Sequence, residues 1–202
     1  MTTQATVFIV DDDEAVLDSL GLLTKSVGIK SQLFRSAQDF LTTYSSEQAG
    51  CLLLDVRMPH MSGLELQEKL KELNSILPII FISGHGDIDM AVKTVQLGAV
   101  DFIQKPFREQ ELLDKIQVAI ERDANTRLQS NSKKLIQIRL DSLTERELEV
   151  LKLIVEGHAN KVIAIDLEVS QRTVEHHRSN IMKKMQATSL ALLVRMAVEV
   201  EY

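Results

Sequence analysis

One cysteine, three prolines, two tyrosines and no tryptophan are spread over 202 residues. A lone cysteine, Cys51, excludes an internal disulfide framework, and the Leu52-Leu53-Leu54 run after it marks a buried strand position, so it is read as core packing. No apolar run approaches the ~20 residues that cross a bilayer. The opening MTTQATVFIVDDD meets a carboxylate cluster too early for a secretory signal. The expectation is a cytoplasmic chain with no membrane partner. Disorder is not the default either, because 45% of residues are hydrophobic and 26% charged, as in ordinary globular domains. The length suits two modest domains.

The net charge of -6 counts against nucleic acid until the halves are separated. Residues 1–122 hold 11 Lys and Arg against 18 Asp and Glu, a balance of -7, and residues 123–202 hold 12 against 11, a balance of +1. Acidity belongs to the first half, which leaves a DNA role open for the second.

In the first half, short apolar runs at Val7–Val10, Gln32–Phe34, Leu52–Leu54, Ile79–Ile82 and Asp101–Ile103 read as five strands. Helical spacing separates them, as in Val16, Leu20 and Leu23, or Leu66, Leu70 and Leu73. Alternating strand and helix predicts an α/β fold, a doubly wound five-stranded parallel sheet covered on both faces. Residues that follow parallel strands gather along one edge, where ligands bind. Those positions hold Asp11, Asp12 and Asp13, then Asp55, Ser83 and Lys105.

An acidic triplet after a strand is usually a solvated turn or helix cap, and a lone Lys-Pro carries less. Placement at the ends of four parallel strands is what points to a site. Carboxylates sharing a crevice repel one another unless some are protonated or a cation sits among them. Oxygen-only ligands suit Mg2+, which keeps several waters and also binds phosphate oxygens. A carboxylate such as Asp55 can then act as nucleophile toward a phosphoryl group, with Lys105 and Ser83 offering a cation and a hydroxyl to the phosphoryl oxygens. Gly63, after Met61 and Ser62, is read as letting the chain turn into the next helix.

The motifs VDDD at 10–13, LLLDVRMPHMSGLEL at 52–66, IIFISGHGD at 79–87 and DFIQKPF at 101–107 resemble those of response-regulator receiver domains. The resemblance implies a flavodoxin-like fold in which Asp55 is phosphorylated by a cognate sensor histidine kinase. It also implies that Asp12, Asp55 and the Arg57 carbonyl hold Mg2+, with Asp11 helping through water. Ser83 and Lys105 would contact phosphoryl oxygens, Ser83 and Phe102 would form the switch, and Lys105–Pro106 would be cis. Two alternatives on related chemistry fit less well. A haloacid-dehalogenase-like phosphatase pattern is met by Asp11 and Asp13 but not by Ala15, and it leaves Asp55 unexplained. Flavin binding would set the cofactor phosphate against three carboxylates.

From Arg108, the residues Leu112, Leu113, Ile116, Ala119 and Ile120 mark a helix with one buried face, expected to run past Arg122 to near Ser130. The expected division is a receiver over residues 1–122, a partly helical linker over 123–139 and a second domain over 140–202. In that second part, Thr144 and Glu147 form a capping box, and Leu148, Leu151, Ile154 and Val155 form an apolar face ending at Gly157. Asn160 is expected to cap a helix carrying Ile163, Ala164 and Leu167, and Glu168-Val169-Ser170 a turn into the next. Short helices across such a turn suggest helix-turn-helix. In the third of these helices Val174, Ile181 and Met185 form the inward stripe, with Arg172, His176, Ser179 and Lys183 outward. Asn160 to Thr188 carries five Lys and Arg against three Asp and Glu, a local +2. Adjacent His176 and His177 face different ways and complete no zinc site.

Residues 143–185 resemble the four-helix LuxR-type helix-turn-helix domain, and the pairing with a receiver resembles the FixJ and NarL group. The resemblance implies a transcription regulator, not a turnover enzyme. It would bind double-stranded DNA through Asn160, Lys161, Arg172, Thr173, His176, Arg178 and Lys183, with RNA polymerase as a further partner. His176 departs from the valine common in relatives, which bears on base preference at that position. Phosphorylation would form a homodimer through the receiver surface near residues 88–103, using Val92, Val95 and Ala99 with Lys93 and Asp101. The helix from Ser189 to Val200 would add contacts through Leu192, Leu193 and Met196. A protein-only interaction module is the remaining alternative.

Overall fold

A computed structural model describes residues 5–84, 94, 96 and 98–200. The chain divides into two compact units, Met1–Arg127 and Leu128–Tyr202. In the first, among the described residues, five strands pair in parallel in the order β2-β1-β3-β4-β5. They are β1 (Thr6–Val10), β2 (Lys30–Phe34), β3 (Gly50–Asp55), β4 (Ile79–Ser83) and β5 (Asp101–Gln104). Each apolar run anticipated a strand, and the strands extend it by one to three residues. Polar Lys30 and Ser31 join β2 because backbone pairing with Thr6 and Val7 asks nothing of their side chains, and β2 is an edge.

Interior strands are apolar between their ends because both faces of the sheet are covered. Phe8, Val10, Leu52, Leu54 and Phe81 pack on one face against Phe40 of α2 (Ala37–Thr43) and Leu66 and Leu70 of α3 (Gly63–Glu72). Val7, Ile9, Leu53 and Ile80 pack on the other against Leu17 and Leu20 of α1 (Glu14–Ser26) and Leu112 and Ile116 of α4 (Glu109–Asp141). The buried face of α1 is Leu17, Leu20 and Thr24, with Val16 and Leu23 only partly covered. Leu73, expected on the apolar face of α3, is the exposed C-cap, and Leu77 in the following turn reaches the core in its place.

The helix α4 has 33 residues and runs to Asp141, eleven beyond the end expected near Ser130. Neither Pro nor Gly interrupts it. Its first stretch buries Leu112, Ile116 and Ala119 in the first unit, and its last buries Ile136 and Leu140 in the core of the second. Polar composition from residue 122 to 134 concealed this, because apolar anchors at both ends sustain the helix between them.

The second unit continues with α5 (Glu145–Val155), α6 (Asn160–Asp166), α7 (Gln171–Met185) and α8 (Leu190–Glu199). Thr144 and Glu147 form the anticipated capping box on α5. Asn160 does not cap α6. Ala159 holds the extended N-cap position without a side-chain bond, its carbonyl accepting Ile163 N–H at 3.0 Å, so Asn160 is the first helical residue. The α6–α7 turn has Glu168 at φ 54° and ends on Ser170, whose hydroxyl accepts Thr173 N–H at 3.1 Å.

Candidate functional site

The sheet order reverses between β1 and β3, and at such a switch point the flanking loops diverge and leave a crevice beyond the strand ends. Asp11 follows β1 and Asp55 closes β3, so the register brings both acids to that crevice. Lys105, after β5, donates from Nζ to Asp11 Oδ2 at 2.7 Å and to Asp55 Oδ1 at 3.2 Å. The backbone of Lys105 is tied to β4 by its N–H, which donates to Ser83 O at 2.7 Å, and the Lys105–Pro106 peptide is cis. Ser83 is buried at the end of β4.

The remaining acids of the triplet separate by role. Asp11, 3% exposed, accepts Asp13 N–H at 3.0 Å through Oδ1, which shapes the β1–α1 turn. Asp13 is the N-cap of α1, accepting Ala15 N–H at 2.9 Å. Asp12 is exposed. Asp55 Oδ2 accepts Arg57 N–H at 2.7 Å. Gly63 is required for a reason other than turning. A Cβ there would lie 2.3 Å from the Asp55 carbonyl oxygen, so α3 reaches the end of β3 only because residue 63 has no side chain.

Burial pushes the Asp55 carboxyl above its ordinary range, against the lowering influence of Arg57 N–H and Lys105. Burial would lower Lys105, but its hydrogen bonds and charge pairing with Asp11 and Asp55 outweigh that and hold it above the usual lysine value. Lys105 thus keeps an ammonium at the crevice, held between the carboxyl groups of Asp11 and Asp55. Among the described residues no group of three His, Cys, Asp or Glu side chains closes into a metal cage. The oxygen donors of Asp11, Asp12 and Asp55 and the Arg57 carbonyl still suit a hard cation that keeps much of its water. Phe102 is half-buried against the core beneath β5.

In the second unit, α7 buries Val174, Ile181 and Met185 completely and leaves Arg172, His176, Ser179 and Lys183 exposed, as the spacing indicated. Thr173 is half-buried, and its hydroxyl lies 2.8 Å from that of Ser170. Arg178, four residues after Val174, is half-buried on the flank nearer the core. On α6, Lys161 is exposed and Asn160 half-buried. His177 is half-buried, which fits packing and not ligation.

Residues 7–117 match the family model of the response regulator receiver domain, and residues 141–197 that of bacterial regulatory proteins of the luxR family. The response regulator protein TodT of Pseudomonas putida F1 is 49% identical over 94% of this chain and 83% of its own length. The transcriptional regulatory protein FixJ of Bradyrhizobium diazoefficiens is 42% identical over 98% of this chain and 97% of its own. The chain belongs to the two-component response regulators. Among solved structures, the response regulator StyR aligns at TM-score 0.88 and 43% identity over 97% of this chain and 99% of its own. Full-length FixJ from B. japonicum aligns at 0.61 and 40%, covering 98% of each.

For this response regulator, the surface expected on α8 to join copies is built differently. Leu193 and Met196 lie in the core of the second unit at 1% and 6% exposure, so they cannot serve α8 as contacts. Leu192 is partly buried against the same core, and Leu190 and Val198 are exposed. In the receiver, Val92, Lys93 and Val95 lie outside the described residues; Ala99 is buried, and Asp101 pairs with Lys115 of α4. The sequence reading also missed the pair formed by buried Asp123 and Arg127, whose only signal was an acid and a base four apart on a helix. Among the described residues, no helix is long and apolar enough to cross a membrane.

Proposed function

We propose that Asp55 receives a phosphoryl group from a cognate sensor histidine kinase, and that phosphorylation promotes dimerisation and sequence-specific binding to double-stranded DNA, regulating transcription with RNA polymerase in the cytoplasm. The observation that carries this reading is the convergence of Asp55, Asp11 and Lys105 at the switch point.

A carboxylate oxygen of Asp55 attacks phosphorus as the bond from phosphorus to the donor's nitrogen breaks, and that nitrogen leaves with the electron pair. The new group adds about -1.5 to -2 charges at neutral pH. Lys105, already between two carboxylates, supplies the ammonium for one phosphoryl oxygen, and Ser83 the hydroxyl for another. Asp12, Asp55 and the Arg57 carbonyl would hold Mg2+, with Asp11 acting through water. When bound, the cation neutralises phosphoryl charge. Drawing Ser83 toward the phosphoryl group changes the packing available to Phe102, which reports the switch through packing alone because it has no hydroxyl. The chain assists its own phosphotransfer and is not a turnover enzyme.

The receiver role lies in the first unit. The DNA role lies in the second, where α7 enters the major groove with Arg172, Thr173, His176 and Lys183, and Asn160, Lys161 and Arg178 serve phosphates or bases. Acetyl phosphate with Mg2+ should add one phosphoryl group to wild type and none to Asp55→Asn, measured by intact mass. Stoichiometric modification of the variant would refute the assignment.

A further inference from the structure

On the exposed face of α7, Nδ2 of Asn180 lies 3.2 Å from Nε2 of His176, one helical turn earlier. His176 is exposed opposite the buried stripe of Val174, Ile181 and Met185, and Asn180 is half-buried on the flank of that face. An Asn side chain at the surface of a helix ordinarily rotates among several orientations. Here the ring fixes one. With its proton on Nδ1, His176 accepts at Nε2, and Asn180 is the donor.

The geometry points to Asn180 as a base-reading residue of this protein, specific for adenine, with His176 as the positioning residue that orients its amide. The amide has two hydrogens and one oxygen. Giving the hydrogen remote from Oδ1 to the ring leaves Oδ1 and the neighbouring hydrogen together on the free edge. That is the acceptor–donor pair which adenine presents N6–H and N7 to meet in the major groove. An unoriented amide presents this edge only part of the time and must lose rotational freedom on binding. His176 therefore acts before DNA arrives. Its ring stands beside His177 at a centroid distance of 6.2 Å, edge to face, which narrows the space in which it can turn. Of its neighbours on that face, Arg172 and Lys183 carry donors only.

This inference rests on the reading of α7 as the helix that meets bases, and the experiment separates the two. The full chain, phosphorylated with acetyl phosphate, is used to select from a randomised duplex library, and relative affinities are then measured for winners and single-base variants. Wild type should prefer adenine at one position per half-site. Asn180→Ala should reduce that preference by roughly ten- to a hundredfold while leaving preferences elsewhere intact. His176→Ala should erode the same preference partially, and His176→Gln, whose Oε1 can accept from Asn180, should restore most of it. Circular dichroism of each variant confirms that α7 is retained. An Asn180→Ala protein that keeps the full base preference overturns the inference, as does one weakened equally on all sequences with a shallower salt dependence, the mark of a phosphate contact. A change of preferred base in His176→Gln, with none in Asn180→Ala, would transfer the reading to His176 itself. A wild type that selects no sequence would overturn the DNA-binding reading of α7 and this inference with it.

Discussion

The carboxylate of Asp123 accepts the backbone N–H of Gly50 at 2.9 Å, joining α4 to the start of β3 across 73 residues of sequence. Gly50 sits at φ 143° with no room for a side chain, since a Cβ would lie 1.8 Å from the Thr6 carbonyl oxygen. Strand pairing with β1 therefore leaves this N–H to be satisfied by another element. Asp123 is 1% exposed and is itself held by Arg127 Nε at 2.8 Å. The same guanidinium donates to the Ser46 carbonyl at 2.8 Å and the Gln48 carbonyl at 2.5 Å. The last two turns of the first unit's share of α4 are thus fastened to the loop before β3.

Asp123→Ala leaves the Gly50 donor and the Arg127 cation without their shared acceptor. The expected loss is about 2–4 kcal/mol from the first unit, seen as a lower urea midpoint. Protease cleavage should also appear near residues 123–130. An unchanged midpoint would show that the network contributes nothing net.

Lys105→Ala removes the ammonium shared by Asp11 and Asp55 but none of the proposed Mg2+ donors. The variant should still accept a phosphoryl group from acetyl phosphate. Phosphorylation should no longer raise DNA affinity, whereas wild type should show a gain on the order of 5- to 150-fold, the usual range for two coupled sites. Mobility-shift titrations with and without the phosphodonor decide it, and an equal gain in both proteins counts against Lys105 as the coupling group.

Glu147 gives a pH-dependent test in the second unit. Burial disfavours its charge, but Lys184 Nζ at 2.7 Å and Thr144 N–H at 2.8 Å hold its carboxyl below the ordinary glutamate range. An acid with a depressed value in the folded state stabilises above its unfolded value and loses that contribution as pH falls through the folded one. Glu147→Gln should therefore cost about 1–2 kcal/mol near neutrality and progressively less below about pH 4.3, the unfolded reference. Urea midpoints of both proteins across that range provide the check. A difference that stays constant with pH would mean that the carboxylate charge plays no part.

Much of the site was legible because its residues are tied to strand ends. Once β1, β3, β4 and β5 were recognised as parallel, Asp11, Asp55, Ser83 and Lys105 had to share an edge, and they do. Helix starts were legible where a side chain makes the cap, as at Ser170 and Thr144, and misplaced at Asn160, where Ala159 begins the helix with backbone alone. Periodicity named the inner stripe of α7 correctly. It misjudged α8, because a short apolar helix has more apolar positions than its own core accepts, and only packing decides that Leu193 and Met196 go in while Leu190 and Val198 stay out.

By itself, then, the sequence determined the strand and helix succession, the family and the identity of the acids at the switch point, since all of these follow from local pattern and residue type. Tertiary structure alone decided which acid caps α1 and which pairs with Lys105, why residues 50 and 63 must be glycine, and that α4 continues to Asp141. Apart from the Asp13 cap, which is made to Ala15 two residues on, each depends on an atom brought close by the fold from elsewhere in the chain, at a separation that no periodicity encodes.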